Sequence, residues 1–248
     1  MKNYQEILEQ LEAGTIRAAI KNEKGIWEAN REVKEAILAA FKDGKNVQHN
    51  EFIDKHNILP RNFKVEDGIR IVPGGTSIRK GCYVAKGVII MPPAYINIGA
   101  YVDEGSMVDS HALVGSCAQI GKRVHLSAAV QIGGVLEPIG MAPVVIEDDA
   151  FIGAGAVIVE GVQVKEKAVI APGVILSAGV PVYDAVNERI LDRGEPIPAN
   201  AVVVPGSRPI GEKRKWANDN GLQVSCPIII KYRDAQSNTS LELEDYLR

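Results

Sequence analysis

From Val72 an aliphatic residue recurs at every sixth position: Val72, Ile78, Val84, Ile90, Ile96, Val102, Val108, Val114, Ile120, Leu126 and Ile132. Four places after each stands a small or aliphatic residue, from Thr76, Cys82 and Val88 through Val124, Val130 and Leu136. The pattern lapses after Ile132. It resumes at Ile146, Ile152, Ile158, Val164, Ile170, Leu176 and Val182, with Ala150, Ala156, Val162, Ala168, Val174 and Val180 at the second position. This period matches neither the turn of an α-helix nor the alternation of a long strand. It matches a short strand plus a corner, wound into a parallel β-helix with both positions pointing inward. Three hexapeptides per coil make a triangular prism whose successive coils stack roughly 4.8 Å apart.

The flanks follow other rules. Val33, Ala36, Ile37, Ala40 and Phe41 lie on one helical face within Asn30 to Phe41, and a first helix is expected over Tyr4 to Glu12. Three regions result: an N-terminal helical domain over 1–68, the β-helix over 69–183 with an excursion at 133–145, and a C-terminal extension over 184–248. Beyond Tyr183 the hexapeptides stop. A polar stretch from Pro205 to Gly221 precedes Leu222 to Tyr232, which reads as a strand, and Ser240 to Arg248 reads as a short closing helix.

Composition supports this picture. With 24 Gly, 13 Pro and only 5% aromatic residues among 248, the core is expected to consist of aliphatic and small groups between many corners. The balance of 28 Lys+Arg against 31 Asp+Glu gives no global positive field for nucleic acid or an anionic membrane. Any anionic ligand must be met by local clusters. Cys82, Cys117 and Cys226 lack CxxC spacing and read as reduced, buried thiols. The N-terminus is acidic and amphipathic and no apolar run is long enough to span a bilayer, so a cytoplasmic protein is expected.

Candidate chemistry lies where regularity breaks. The excursion, from Gly133 and Gly134 onward, is a loop on a rigid scaffold, the usual place for binding. Position i+1 of a hexapeptide points outward, which exposes Asp109, one coil beneath Ser127. His125 stands one coil above Met107, and His111 is close by in sequence.

Three stretches carry a resemblance: Gly99-Ala100-Tyr101-Val102-Asp103-Glu104-Gly105-Ser106-Met107-Val108-Asp109, Val114-Gly115-Ser116-Cys117-Ala118-Gln119-Ile120-Gly121-Lys122, and Gly133-Gly134-Val135-Leu136-Glu137-Pro138. They resemble the tetrahydrodipicolinate N-succinyltransferase family of the hexapeptide-repeat transferases. The likeness extends to Val33 to Leu38, Gly68 to Pro73, Val203 to Ser207 and the Cys226 strand. It implies a left-handed coil, a homotrimer with active sites between subunits, and transfer of succinyl from succinyl-CoA to the amine of ring-opened tetrahydrodipicolinate, without a metal. The family's acceptor-binding residues map onto Arg70 and Asp109. Arg70 offers a planar fork suited to a carboxylate. Asp109 orients the amine or takes its proton; if it only positions, His111 or His125 is the alternative base. For CoA, backbone groups at Gly153, Ala154 and Ala171 are candidates along the pantetheine. Arg208, Lys213, Arg214 and Lys215 form a cluster for the phosphates.

The sequence departs from the family at three places. His111 stands where many relatives have Trp, and Gly155 and Val157 stand where many have Arg and Glu. An acetyl-CoA-dependent N-acetyltransferase and a non-catalytic hexapeptide scaffold therefore remain as alternatives. The succinyl carboxylate would be met by the N–H groups of Gly133 and Gly134, or by Ser127. A zinc enzyme of this architecture needs three histidines at an interface, and only His111 and His125 lie in the repeats.

Overall fold

The computed structural model describes residues 3–23, 25–211 and 213–234. The closing helix expected over Ser240 to Arg248 lies outside them. Each hexapeptide forms a two-residue strand and a corner. In Met107–Val108 the first side chain points out and the second is buried, and most of the short strands repeat this. The third residue after most inward aliphatics closes the corner in left-handed backbone. Glycine fills this place at Gly87, Gly99 and Gly105, but His111 (φ 62°), Cys117 (φ 65°) and Ala129 (φ 60°) also adopt it.

The strands stack in parallel into three faces, forming the left-handed β-helix that was expected. Face 1 runs from Arg70–Ile71 through Ile89–Ile90, Met107–Val108, His125–Leu126 and Phe151–Ile152 to Val169–Ile170. Face 2 runs from Ser77–Ile78 through Tyr95–Ile96, Leu113–Val114, Gln131–Ile132 and Val157–Ile158 to Ile175–Leu176. Face 3 runs from Tyr83–Val84 through Tyr101–Val102, Gln119–Ile120 and Val145–Ile146 to Gln163–Val164. The second residues of these strands, with the small corner residues, make one continuous core. Burial of each Val or Ile stabilises it by about 1.5–3 kcal/mol.

Three details of the repeat differ from the reading above. Ile71, not Val72, lies beside the inward Ile90, and Val72 takes the next place, because the first coil carries one extra residue. Val135 enters the core where Leu136 was expected, because the excursion turns Leu136 onto the N-terminal helices. The coil also continues past Val182. That residue is only half-buried, and the place beside Val164 goes to Ile197. A small hairpin, Tyr183–Asp184 with Arg189–Ile190, shifts the phase. Leu191, Ile197 and Val203 then restore the six-residue spacing, with Gly194 and Asn200 in the left-handed corners.

The N-terminal part has helices α1 (Tyr4–Glu12) and α2 (Arg31–Asp43), as the periodicity indicated. It is not purely helical. Ala19–Lys21 pairs with Trp27–Ala29, and Asn46–His49 with Phe52–Lys55, as two short hairpins. The first covers face 3: Arg17 Nε donates to Gln119 at 2.8 Å and its guanidinium lies 3.8 Å from the Tyr101 ring centroid. Trp27 Nε1 donates to Glu147 at 2.8 Å. This cover explains why the outward residues Gln119, Val145 and Gln163 are buried too. Leu8 and Ile37 close the corner between faces 2 and 3, against Gly81 and Gly99.

The polar stretch from Pro205 begins as strand. Ala201–Pro209 joins face 1 beside Val169–Ile170 and pairs antiparallel with Gln223–Tyr232, with a short helix α3 (Lys215–Asp219) near the tip. Alternation of proline, glycine and polar residues from Pro205 to Pro209 concealed it. Among the described residues no helix is long and apolar enough to cross a membrane.

Candidate active site

Register fixes which candidates share a corner. Val72, Met91, Asp109, Ser127, Gly153 and Ala171 follow the inward residues of face 1 and form one column at its end, which Val204 continues. Around the corner toward face 2 come Ser110, Ala128, Ala154 and Pro172, then His111, Ala129, Gly155 and Gly173. The column that precedes Asp109's on face 1 holds Arg70, Ile89, Met107, His125 and Phe151.

Asp109 is half-buried and its orientation is fixed. Its backbone N–H donates to Leu126 and its carbonyl accepts from Ala112, while Oδ1 accepts from the Ser110 N–H at 2.6 Å. Oδ2 makes no hydrogen bond among the described residues, so one carboxylate oxygen faces out with lone pairs free. Arg70 is exposed and stands two strand spacings, roughly 10 Å, before Met107 on the same face. Face 1 thus carries an exposed guanidinium and an outward carboxylate two coils apart. The His125 ring packs 5.2 Å from Phe151, and His111 is exposed on the corner.

The backbone groups divide unevenly. Gly153 and Ala171 donate to the carbonyls of Ile170 and Val203, so their N–H groups belong to the ladder and are not available to a ligand. Ala154 is exposed and its N–H is unpaired among the described residues, as is that of Ala128. Neither the Ala128 donor nor the small-residue track Ala129, Gly155, Gly173 was read from the sequence. At Gly155 a Cβ would meet nothing within 4 Å, which leaves the corner open. The coil-length spacing of small residues was the available signal.

The excursion leaves from a different corner. Gly115 and Gly133 stack at the end of face 2, and Gly133 donates to Ile158, so of the two glycine donors only Gly134 stays unpaired. Face 2 therefore separates Gly134 from Ser127 and Asp109 within one chain. The excursion packs on α2: Leu136 joins the helical cluster, and the buried Lys34 donates from Nζ to Met141 O at 2.5 Å. Burial pushes the Lys34 pKa down, and it pushes the neighbouring Cys117 thiol up to about 12. All three cysteines are free and buried.

The basic cluster sits on the 201–232 hairpin. Lys213 and Arg214 are exposed, and Lys215 pairs with Asp219 at 2.6 Å, which offsets its charge. Arg208 has a buried Nε without a partner among the described residues.

Two family profiles match the chain: one described as "Tetrahydrodipicolinate N-succinyltransferase N-terminal" over residues 2–42, and one described as "Hexapeptide repeat of succinyl-transferase" over residues 143–178. Proteins named 2,3,4,5-tetrahydropyridine-2,6-dicarboxylate N-succinyltransferase are similar over nearly the whole length. That of Psychrobacter cryohalolentis is 46% identical, covering 98% of this chain and 88% of its own. That of Neisseria meningitidis serogroup B is 43% identical with the same coverage. A solved structure from Campylobacter jejuni, described as a putative 2,3,4,5-tetrahydropyridine-2-carboxylate N-succinyltransferase, aligns over 91% of this chain and 62% of that chain with TM-score 0.47 and 14% identity.

Proposed function

The chain belongs to the tetrahydrodipicolinate N-succinyltransferase family, and from that premise we propose that it transfers succinyl from succinyl-CoA to the amine of ring-opened tetrahydrodipicolinate. This places it in lysine and diaminopimelate biosynthesis, in the cytoplasm. The thioester is already activated, so the protein's task is to present a neutral amine to it. The amine nitrogen attacks the thioester carbonyl, the C–N bond forms, the C–S bond breaks, and CoA leaves as the thiol. Asp109 Oδ2 is the free acceptor for the amine proton, with Ser110 holding Oδ1 in place. Arg70 takes a carboxylate of the acceptor.

The observation that carries this reading is the column of Asp109 beside an open, small-residue corner. Ala128 and Ala154 offer N–H donors to the pantetheine carbonyls along it, and Arg208, Lys213 and Arg214 supply cations for the phosphates above it.

A homotrimer completes the site. Among the described residues faces 1 and 2 have no cover over most of their length, and their outward columns are largely apolar: Ile89, Met107 and Phe151 beside Arg70 and His125 on one, Tyr95, Leu113 and Val157 beside Ser77 and Gln131 on the other. Such surfaces call for a partner. Not every i+1 position contributes, since Ala85 is buried by its own chain. A neighbour's excursion would bring a Gly134 N–H to an Asp109 that its own Gly134 does not approach.

Incubation with succinyl-CoA and tetrahydrodipicolinate tests the reading. CoA thiol and N-succinyl product should appear in equal amounts. Thiol release that is independent of the acceptor, or no release, overturns it.

A further inference from the structure

Every strand of face 1 before the last turns at the corner that follows Asp109's column. The last one does not. Ala201–Pro209 lies in register with Val169–Ile170, reaches that column at Val204, and runs straight on. Beyond the prism edge, Pro205, Gly206, Ser207, Arg208 and Pro209 are paired with Pro227, Cys226, Ser225, Val224 and Gln223. The resulting blade overhangs the corner with Asp109, His111 and the small-residue track.

The blade's tip carries an unusual combination. Trp216 is 72% exposed on α3, a costly position for an indole unless something covers it. The tip is tied down: Asn218 donates to the Gly211 carbonyl, Asn220 to the Trp216 carbonyl, and Ala217 is buried. Lys213 and Arg214 form no ion pair among the described residues. A flat aromatic surface beside two cations that no described carboxylate pairs suits a purine with phosphates, the base stacking on the ring and the cations meeting the charge.

Reach agrees. Four strand spacings from Asp109 to Val204 make roughly 19 Å, and the blade continues outward at roughly 3.3 Å per residue. Five residues from Val204 to Pro209 add roughly 16 Å across the coil axis, so the tip stands roughly 25 Å from Asp109, the reach of a whole extended CoA from thioester to adenine. The unpaired N–H groups of Ala128 and Ala154 lie on the path.

We infer that Trp216, with Lys213 and Arg214, is the seat for the adenine nucleotide end of CoA. This rests on the acyl-CoA reading above and adds to it a base-stacking residue at the far end of the donor.

Calorimetric titration of CoA into the full chain, with steady-state kinetics, tests the inference. Trp216→Ala should weaken CoA binding about tenfold or more and raise the KM for succinyl-CoA, leaving kcat unchanged. Trp216→Phe should restore most of the affinity. With succinyl-pantetheine as donor, wild type and Trp216→Ala should be equal. Unchanged CoA affinity in Trp216→Ala, or an equal loss with succinyl-pantetheine, overturns the seat while acyl transfer stands. A wild-type chain that releases no CoA from succinyl-CoA overturns the acyl-CoA reading itself.

Discussion

Lys34 Nζ donates to the carbonyl of Met141 at 2.5 Å from a side chain that is 0% exposed, so a buried ammonium on α2 grips the excursion. A charge in that position is costly to bury, and no carboxylate pairs with it in the described structure. Lys34→Met leaves the Met141 carbonyl unpaired, at a cost of about 1–3 kcal/mol. Amide exchange across 133–145 should accelerate and kcat should fall while the β-helix stays folded. Exchange at the wild-type rate would show that Lys34 does not hold the loop.

Asp109→Asn should remove most turnover with little effect on stability, because the outward carboxylate packs nothing in the core. Arg70→Lys should mainly raise the acceptor KM, since a point charge replaces a fork. Near wild-type activity in Asp109→Asn, with loss in His125→Ala or His111→Ala, would assign the proton to histidine instead.

Light scattering should give about three times 26.7 kDa. Leu113→Glu, on the outward column of face 2, should yield a folded monomer with little activity. A wild-type monomer at micromolar concentration contradicts an active site between subunits.

Glu147 accepts from Trp27 and pairs with Lys21 at 2.9 Å and Lys165 at 3.5 Å. Burial works to raise its pKa, but the hydrogen bonds from Lys21, Trp27 and the adjacent Glu166, with the charge of Lys165, hold it down at about 2. A depressed folded value stabilises the chain above the unfolded value of about 4.3, and that stability is lost as pH falls toward 2. Acid melts should show wild type losing more stability than Glu147→Gln between about pH 5 and 2. Parallel curves would show that this carboxylate does not pin the N-terminal hairpin to face 3.

The inward positions were legible because a six-residue period has one structural solution, and α2 because its apolar stripe is unbroken from Val33 to Phe41. The outward columns were legible in principle: Tyr95, Leu113 and Val157 are each one place before an inward residue. Leu191, Ile197 and Val203 kept the spacing, but the 183–190 hairpin shifted its phase. Which N–H groups remain for a ligand was not legible. Gly153 and Ala154 are neighbours of similar type, and only the ladder decides that one is occupied and the other unpaired.

The donor decides the central claim most directly. A succinyl group carries a second carboxylate whose desolvation must be met by donors, and a site that supplies them leaves those donors unpaired with acetyl. With tetrahydrodipicolinate as acceptor, kcat/KM should be at least about tenfold higher for succinyl-CoA than for acetyl-CoA. Equal values, or a preference for acetyl-CoA, would contradict succinyl transfer as this chain's reaction.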